Sequence, residues 1–141
     1  MLSQQTKDIV KKTAPILQEK GVEITSRMYE RLFSEYPETK VLFSNTKDGQ
    51  ANRLAAAVLA YAQNIDNLEA LGPSVAAIAE RHVANNVKAE HYPIVGKVLL
   101  AAMQDVLGEA ASEELIEAWK EAYFFLANIF IDKEESIRTC E

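Results

Sequence analysis

The chain has little cysteine, glycine or proline: one Cys, five Gly and four Pro occur in 141 residues. A single cysteine excludes an internal disulfide, which is typical of a reducing compartment. We interpret that residue, Cys140, as an inert part of the C-terminal tail. With few Gly and Pro, 48% hydrophobic and 26% charged residues, the composition is ordinary for a soluble globular protein.

Basic residues are also scarce. There are 15 Lys and Arg against 21 Asp and Glu, and the net charge is -6. This balance argues against a nucleic-acid partner. No apolar run approaches the roughly 20 residues needed to span a bilayer. The segment 1–7 lacks the basic-then-apolar layout of a signal peptide, so we expect a cytoplasmic protein without a membrane span.

Helical periodicity runs through the whole chain, and nothing alternates long enough to be a strand. The pattern predicts an all-α domain of six or more helices of unequal length, which does not fit an up-down four-helix bundle. We find no linker, repeat or low-complexity tract. One domain over residues 1–141 is therefore expected.

The first two predicted helices cover residues 4–20 and 22–35. Lys20-Gly21 separates them, because a cation in the last turn and a following glycine favour a helix C-terminus. Pro15 predicts a kink or a displaced start.

Local signals bound the later helices. Pro37 opens a short helix that Phe43 closes. Gly108 ends a helix that begins near Pro93, and Ser112 is placed to cap the last helix. Two further helices are predicted over residues 50–65 and 73–84.

Only two histidines occur, nine residues apart. His82 shares a helical stripe with Val75 and Ile78, so it is predicted to point inward. A buried imidazole is a good axial ligand for haem iron, although a histidine in such a position is more often a core residue bonded to a backbone carbonyl. His91 is predicted in a loop or capping position. The chain has no zinc or di-iron ligand pattern, no Gly-x-Ser-x-Gly and no phosphate loop.

Six segments of the sequence belong together by their order and spacing: 28–33, 41–43, 62–65, 78–82, 91–96 and 118–123. With them the chain resembles the bacterial single-domain haemoglobins and the globin domain of flavohaemoglobins, and the likeness covers nearly every residue. It implies a globin fold of six to eight helices around one haem b per chain. Without Cys-x-x-Cys-His, that haem would be held by coordination and packing.

The resemblance makes His82 the proximal iron ligand. It implies that Tyr92 and Glu134 hold the imidazole by hydrogen bonds, and that Arg81 reaches a haem propionate. A carboxylate behind the histidine makes the ligand more electron-donating, which favours oxygen activation over storage. From the residues alone, Glu134 is also an ordinary solvated charge near a helix end, and Arg81 a solvent-facing arginine.

On the distal side the resemblance implies that Tyr29 donates a hydrogen bond to bound oxygen and that Gln50 is the distal glutamine. Leu54 would be the apolar residue above the iron, and Phe43 would stack on the porphyrin. Tyr29 and Phe43 would otherwise be core aromatics. A donor that favours the bound gas by 1.4 kcal/mol raises affinity about tenfold.

The chain departs from the family pattern in two places. The stretch between Phe43 and Gln50 is a few residues shorter, and the usual Gln-Pro pair is Gln50-Ala51. If the register slips, Asn52 or Arg53 faces the pocket instead of Gln50.

Three functions follow from these residues. The first is reversible oxygen binding for storage or delivery, with nitric oxide or carbon monoxide as further ligands. The second is nitric-oxide dioxygenation; because the chain ends at Glu141, this would need an external reductase. The third is a sensory domain without haem, which an inward His82 together with Tyr29 argues against. The resemblance leaves monomer and homodimer open.

Overall fold

The computed structural model describes residues 2–43, 49–85 and 87–139. This part of the chain is all-α and contains no strand, as predicted. Three short 3-10 helices accompany the main helices, at Pro37–Phe43, Leu68–Leu71 and Gly108–Ala110. The main helices are α1 (Gln4–Glu35), α2 (Gln50–Gln63), α3 (Gly72–Ala84), α4 (His91–Leu107) and α5 (Glu113–Thr139).

The predicted break at Gly21 is wrong, because α1 continues from Gln4 to Glu35 through both Pro15 and Gly21. The predicted displaced start at Pro15 is absent as well. Gly21 is buried, and a Cβ built on it would lie 3.4 Å from the Cβ of Ala55. This glycine therefore serves the close approach of α1 to α2 rather than a helix end.

Other helix ends follow their predicted signals. The Oγ of Ser112 accepts a hydrogen bond from the backbone N–H of Leu115 at 3.1 Å, which caps α5. Gly108 follows α4 with φ +55°, a conformation that side chains rarely adopt. The helices predicted over residues 50–65 and 73–84 are confirmed with ends within two residues.

The core has two parts. The larger unites buried side chains of α1, α2, α4 and α5, and the smaller joins α3 and the start of α4 to the second half of α5. Buried hydrogen bonds cross the larger part: Trp119 Nε1 donates to Thr13 Oγ1 at 3.2 Å, and the Tyr61 hydroxyl donates to the Ala122 carbonyl at 2.7 Å. The candidate proximal site lies in the smaller part.

None of the helices in the described ranges combines the length and apolar character needed to cross a membrane. Cys140 and most of the segment between Phe43 and Gln50 lie outside the described residues.

Candidate functional site

Three residues from three helices meet at His82. Its Nδ1 lies 2.9 Å from Oε2 of Glu134 and 3.0 Å from the hydroxyl of Tyr92. The Tyr92 hydroxyl in turn lies 2.6 Å from the same Oε2 of Glu134. The fold thus brings together α3, α4 and α5 in one hydrogen-bonded triangle.

The triangle determines which nitrogen of His82 carries the proton. Tyr92 has one hydroxyl proton, and it is donated to Glu134. A carboxylate only accepts, so the 2.9 Å contact requires a proton on Nδ1 of His82. In the neutral imidazole, Nε2 then keeps its lone pair and is the nitrogen able to bind a metal. Burial and the neighbouring Glu134 raise the pKa of Tyr92, so this hydroxyl stays protonated.

Burial and aromatic packing hold the triangle in place. Glu134 is only 1% exposed, whereas the side chain of His82 is 34% exposed. The Phe130 ring lies 5.7 Å from the His82 ring and stacks on Tyr92 with 17° between the planes. The hydroxyl of Tyr123 donates to the backbone carbonyl of Tyr92 at 2.7 Å.

The distal candidates lie on the C-terminal part of α1, at the end of the 3-10 helix Pro37–Phe43 and at the start of α2. The rings of Tyr29 and Phe43 meet edge to face with centroids 5.3 Å apart, and Phe33 completes the cluster at 5.5 Å from Phe43. Tyr29 and Phe43 are half-buried. The two rings therefore pack against each other, and part of each ring remains accessible.

Gln50 is the first residue of α2 and is half-buried. Its Oε1 accepts a hydrogen bond from Nη2 of Arg53 at 2.9 Å. Burial raises the pKa of the Tyr29 hydroxyl, while a hydrogen bond with the Gln50 side chain and the charge of Arg53 act in the opposite direction. Tyr29 stays protonated at neutral pH and can donate its proton.

The remaining candidates differ in exposure. Leu54 is half-buried and packs against the larger core. Asn52 is exposed on α2 and Arg81 on α3. His91 is the first residue of α4, not part of a loop, and its Nδ1 accepts a hydrogen bond from the backbone N–H of Lys88 at 2.9 Å. This bond joins His91 to the segment before α4, whose N-cap residue, Glu90, makes no side-chain cap, so the predicted capping role is not confirmed.

Comparison with known proteins identifies a family that agrees with the resemblance found in the sequence. The family model described as Globin matches residues 26–130, which is most of the chain. This range contains the distal candidates, His82 and Tyr92, whereas Glu134 lies beyond it. The chain belongs to the globin family.

Two similar proteins differ greatly in length from one another. The chain is 50% identical over 139 residues to a flavohemoprotein of Halalkalibacterium halodurans; the match covers 96% of this chain and 34% of that protein. It is 49% identical over 137 residues to an uncharacterised globin-like protein of Aquifex aeolicus, covering 97% of both chains. The chain thus spans about a third of the length of the flavohemoproteins that it matches.

A solved structure agrees with this assignment. It is an engineered carbene transferase made from a protein of Rhodothermus marinus that was assigned as a nitric oxide dioxygenase. The TM-score is 0.96 at 41% identity, and the match covers 99% of this chain and 98% of that one. The globin fold predicted from sequence is confirmed.

Haem is the cofactor of this family, and the family uses it to bind gases such as oxygen and nitric oxide. The residues present fit a haem group, because Nδ1 of His82 is saturated by Tyr92 and Glu134 and leaves Nε2 as a neutral nitrogen donor.

Three aromatic residues contact the site without any sequence signal of that role: Phe130, Tyr123 and Phe33. All three lie on inward-facing helical stripes, where the same periodicity is produced by any core aromatic. Their contacts to site residues become visible only in the folded chain.

Proposed function

We propose that this chain binds oxygen reversibly at a haem iron coordinated by Nε2 of His82, as a store or carrier of oxygen. The observation that supports this most strongly is the triangle of His82, Tyr92 and Glu134, which puts the proton on Nδ1. When bound, haem would supply a ferrous iron that takes a diatomic gas. The haem-binding domain proposed here comprises residues 1–141.

On the opposite side we assign Tyr29 as the hydrogen-bond donor to the gas and Gln50 as its neighbour. Phe43 and Leu54 would shape the apolar part of that pocket, and Arg81 would reach a propionate. The protonated hydroxyl of Tyr29 supports the donor role, since burial raises its pKa. A donor directed at a ligand that gains negative charge slows its release.

The experiment that tests this function is haem binding by the native chain and by His82→Ala. The native chain should take up one equivalent of haem and give the ferrous, oxy and carbonmonoxy spectra of a five-coordinate histidine globin, while His82→Ala loses them. The matched control is His91→Ala, which removes the other histidine and should keep the spectra. Equal spectra for native chain and His82→Ala would contradict the assignment.

A second candidate is nitric-oxide dioxygenation. In this reaction oxygen, nitric oxide and one electron give nitrate, and a reductase partner is proposed to return the electron for the next turnover. The buried Glu134 supports it, because a carboxylate behind the proximal imidazole strengthens electron donation. So does the similarity to the Rhodothermus marinus protein.

Rapid mixing separates the two candidates. If the oxygenated chain is mixed with nitric oxide, dioxygenation gives one nitrate per haem and leaves ferric haem. Sustained nitrate formation on adding a reductase and NADH would favour the enzyme. A single turnover without acceleration by reductant favours oxygen storage or delivery.

A further inference from the structure

One face of α1 sets the position of α2. Gly21, Thr25 and Tyr29 are four residues apart and lie on the same face of the helix. A Cβ on Gly21 would meet Ala55, and Thr25 contacts Ala51 four residues earlier in α2. The two helices therefore run antiparallel where they touch, and later residues of α1 contact earlier residues of α2. The next turn of α1 carries Tyr29, beside the start of α2.

Thr25 makes a polar contact within this interface. It is 2% exposed, and its hydroxyl lies 2.7 Å from the backbone carbonyl of Ala51 and 3.3 Å from that of Val22. A helical threonine commonly donates back to its own helix. Here the shorter bond goes to the neighbouring helix, so the single proton of Thr25 is directed at α2.

The bond falls on the first turn of α2, next to a helix start without a side-chain cap. The residue before α2, Gly49, has φ +90° and offers no side-chain cap. Ala51 is the second residue of the helix and carries no group that would hold the first turn. Gln50 is its direct neighbour, so a shift of the Ala51 carbonyl moves the Gln50 backbone with it.

We propose that Thr25 is a positioning residue for the gas-binding pocket: its hydroxyl holds the first turn of α2 and thereby places Gln50 beside Tyr29. Thr25 itself does not touch the gas. This inference rests on the proposed function, because it assigns a role to Gln50 and Tyr29 in gas binding.

The test compares Thr25→Val, which removes the hydroxyl and keeps the branched shape, with Thr25→Ser, which keeps the hydroxyl. In the haem-loaded chain, Thr25→Val should speed oxygen dissociation by about threefold to tenfold, since part of a hydrogen bond to the gas is lost. The carbon–oxygen stretching band of the carbon monoxide complex should split or shift. Thr25→Ser should restore both.

Thr13→Val is the matched control. Thr13 is 1% exposed on the same helix, donates to the Ile9 carbonyl at 2.7 Å and accepts from Trp119. Losing this hydroxyl should lower stability at least as much, yet leave the dissociation rate and the carbon monoxide band unchanged. A readout that follows stability alone would respond to both variants.

Two results would overturn the proposal. One is Thr25→Val with the native dissociation rate and carbon monoxide band; the other is Thr13→Val with the same changes as Thr25→Val. Failure of the proposed function looks different, because the native chain would then show no haem spectrum that depends on His82. Should Thr25→Val not fold, Thr25→Ala is measured against the same control.

Discussion

A carboxylate that is 1% exposed needs compensation, because an unpaired buried charge costs several kcal/mol. Glu134 receives it from the Tyr92 hydroxyl and from Nδ1 of His82. Both donors converge on the same oxygen, Oε2, so the negative charge is concentrated behind the imidazole. This is the arrangement that makes a histidine a stronger donor to a metal.

Replacing Glu134 by Gln should therefore weaken the proximal ligand. The amide keeps an acceptor oxygen and loses the charge, so His82 becomes less electron-donating. We expect haem transfer to an acceptor protein to become about tenfold to a hundredfold faster, and the iron–histidine stretching frequency to fall. The control is Glu135→Gln, an exposed neighbour on α5 that should leave both values unchanged. Identical frequencies in the native chain and Glu134→Gln would contradict the proposed electron donation.

The Tyr29 hydroxyl gives a second prediction at this scale. Tyr29→Phe should speed oxygen dissociation by several-fold to about a hundredfold, as expected for loss of a charge-assisted hydrogen bond of roughly 1.5–3 kcal/mol. Because burial raises the pKa of Tyr29, the hydroxyl stays protonated, and the native rate should not change between about pH 6 and pH 9.

The control for Tyr29 is Tyr36→Phe, at another half-buried tyrosine one residue beyond α1. It should leave oxygen dissociation unchanged. If Tyr29→Phe also keeps the native rate, another residue holds the gas.

Single residues were predictable from sequence to different degrees. The inward position of His82 follows from its stripe with Val75 and Ile78. The partnership of Tyr92 and Glu134 does not, because the two are 42 positions apart and Lys133-Glu134-Glu135 has the pattern of a solvated helix face. Only the family resemblance suggested that pair, and the geometry brings it together.

At the scale of the helices, capping and breaking residues predicted most ends because these signals are local. Ser112 and Gly108 act within one turn of the backbone. Gly21 has the same sequence signature as a helix end, yet it lies inside α1 against Ala55. Whether a glycine ends a helix or admits a neighbour depends on tertiary packing, which the local pattern does not contain.

Gly96 on α4 also allows a close contact because it has no side chain, and the cost of adding one can be measured. A Cβ on it would lie 2.6 Å from Cε2 of Tyr123, closer than real contacts allow. Gly96→Ala should therefore displace the Tyr123 ring and destabilise the fold by about 1–3 kcal/mol, as overpacking usually does. Since Tyr123 bonds the Tyr92 carbonyl, the proximal site should be disturbed as well.

Urea unfolding of the haem-loaded chain measures this effect. Gly72→Ala is the control, because Gly72 lies in α3 and a Cβ there meets nothing within 4 Å. It should change stability by no more than about 1 kcal/mol, because the gain in helix propensity is opposed by Pro73, which disfavours the α conformation of a preceding residue that carries a Cβ. Equal unfolding midpoints for Gly96→Ala and the native chain would show that the ring of Tyr123 moves aside without cost.

At the scale of the whole molecule, distant helices are tied together by contacts that periodicity cannot predict. The Nε atoms of Arg27 and Arg31 on α1 lie 2.9 and 2.6 Å from Oδ2 of Asp105 on α4. Arg31 adds a second bond to Oδ1 at 3.1 Å. The sequence pattern does not predict this pairing, because charge pairing between helices depends on how the helices cross.

The Asp105 cluster predicts a pH dependence of stability. Hydrogen bonds from the two arginines lower the pKa of Asp105 from 3.8 to about 2. A carboxyl group with a lowered pKa in the folded state binds its proton more readily when unfolded. Its stabilisation is therefore complete above pH 4 and is lost as the pH falls from about 4 to about 2.

Asp105→Asn should thus unfold at lower urea than the native chain at pH 7, and the difference should shrink below about pH 4 and be nearly gone at pH 2. Added salt should reduce the difference at pH 7, because the cluster is partly open to solvent. The control is Asp132→Asn on α5, an exposed carboxylate whose removal should give no such convergence. A gap between Asp105→Asn and the native chain that stays constant from pH 7 to pH 2 would mean that the carboxylate contributes through packing rather than through its charge.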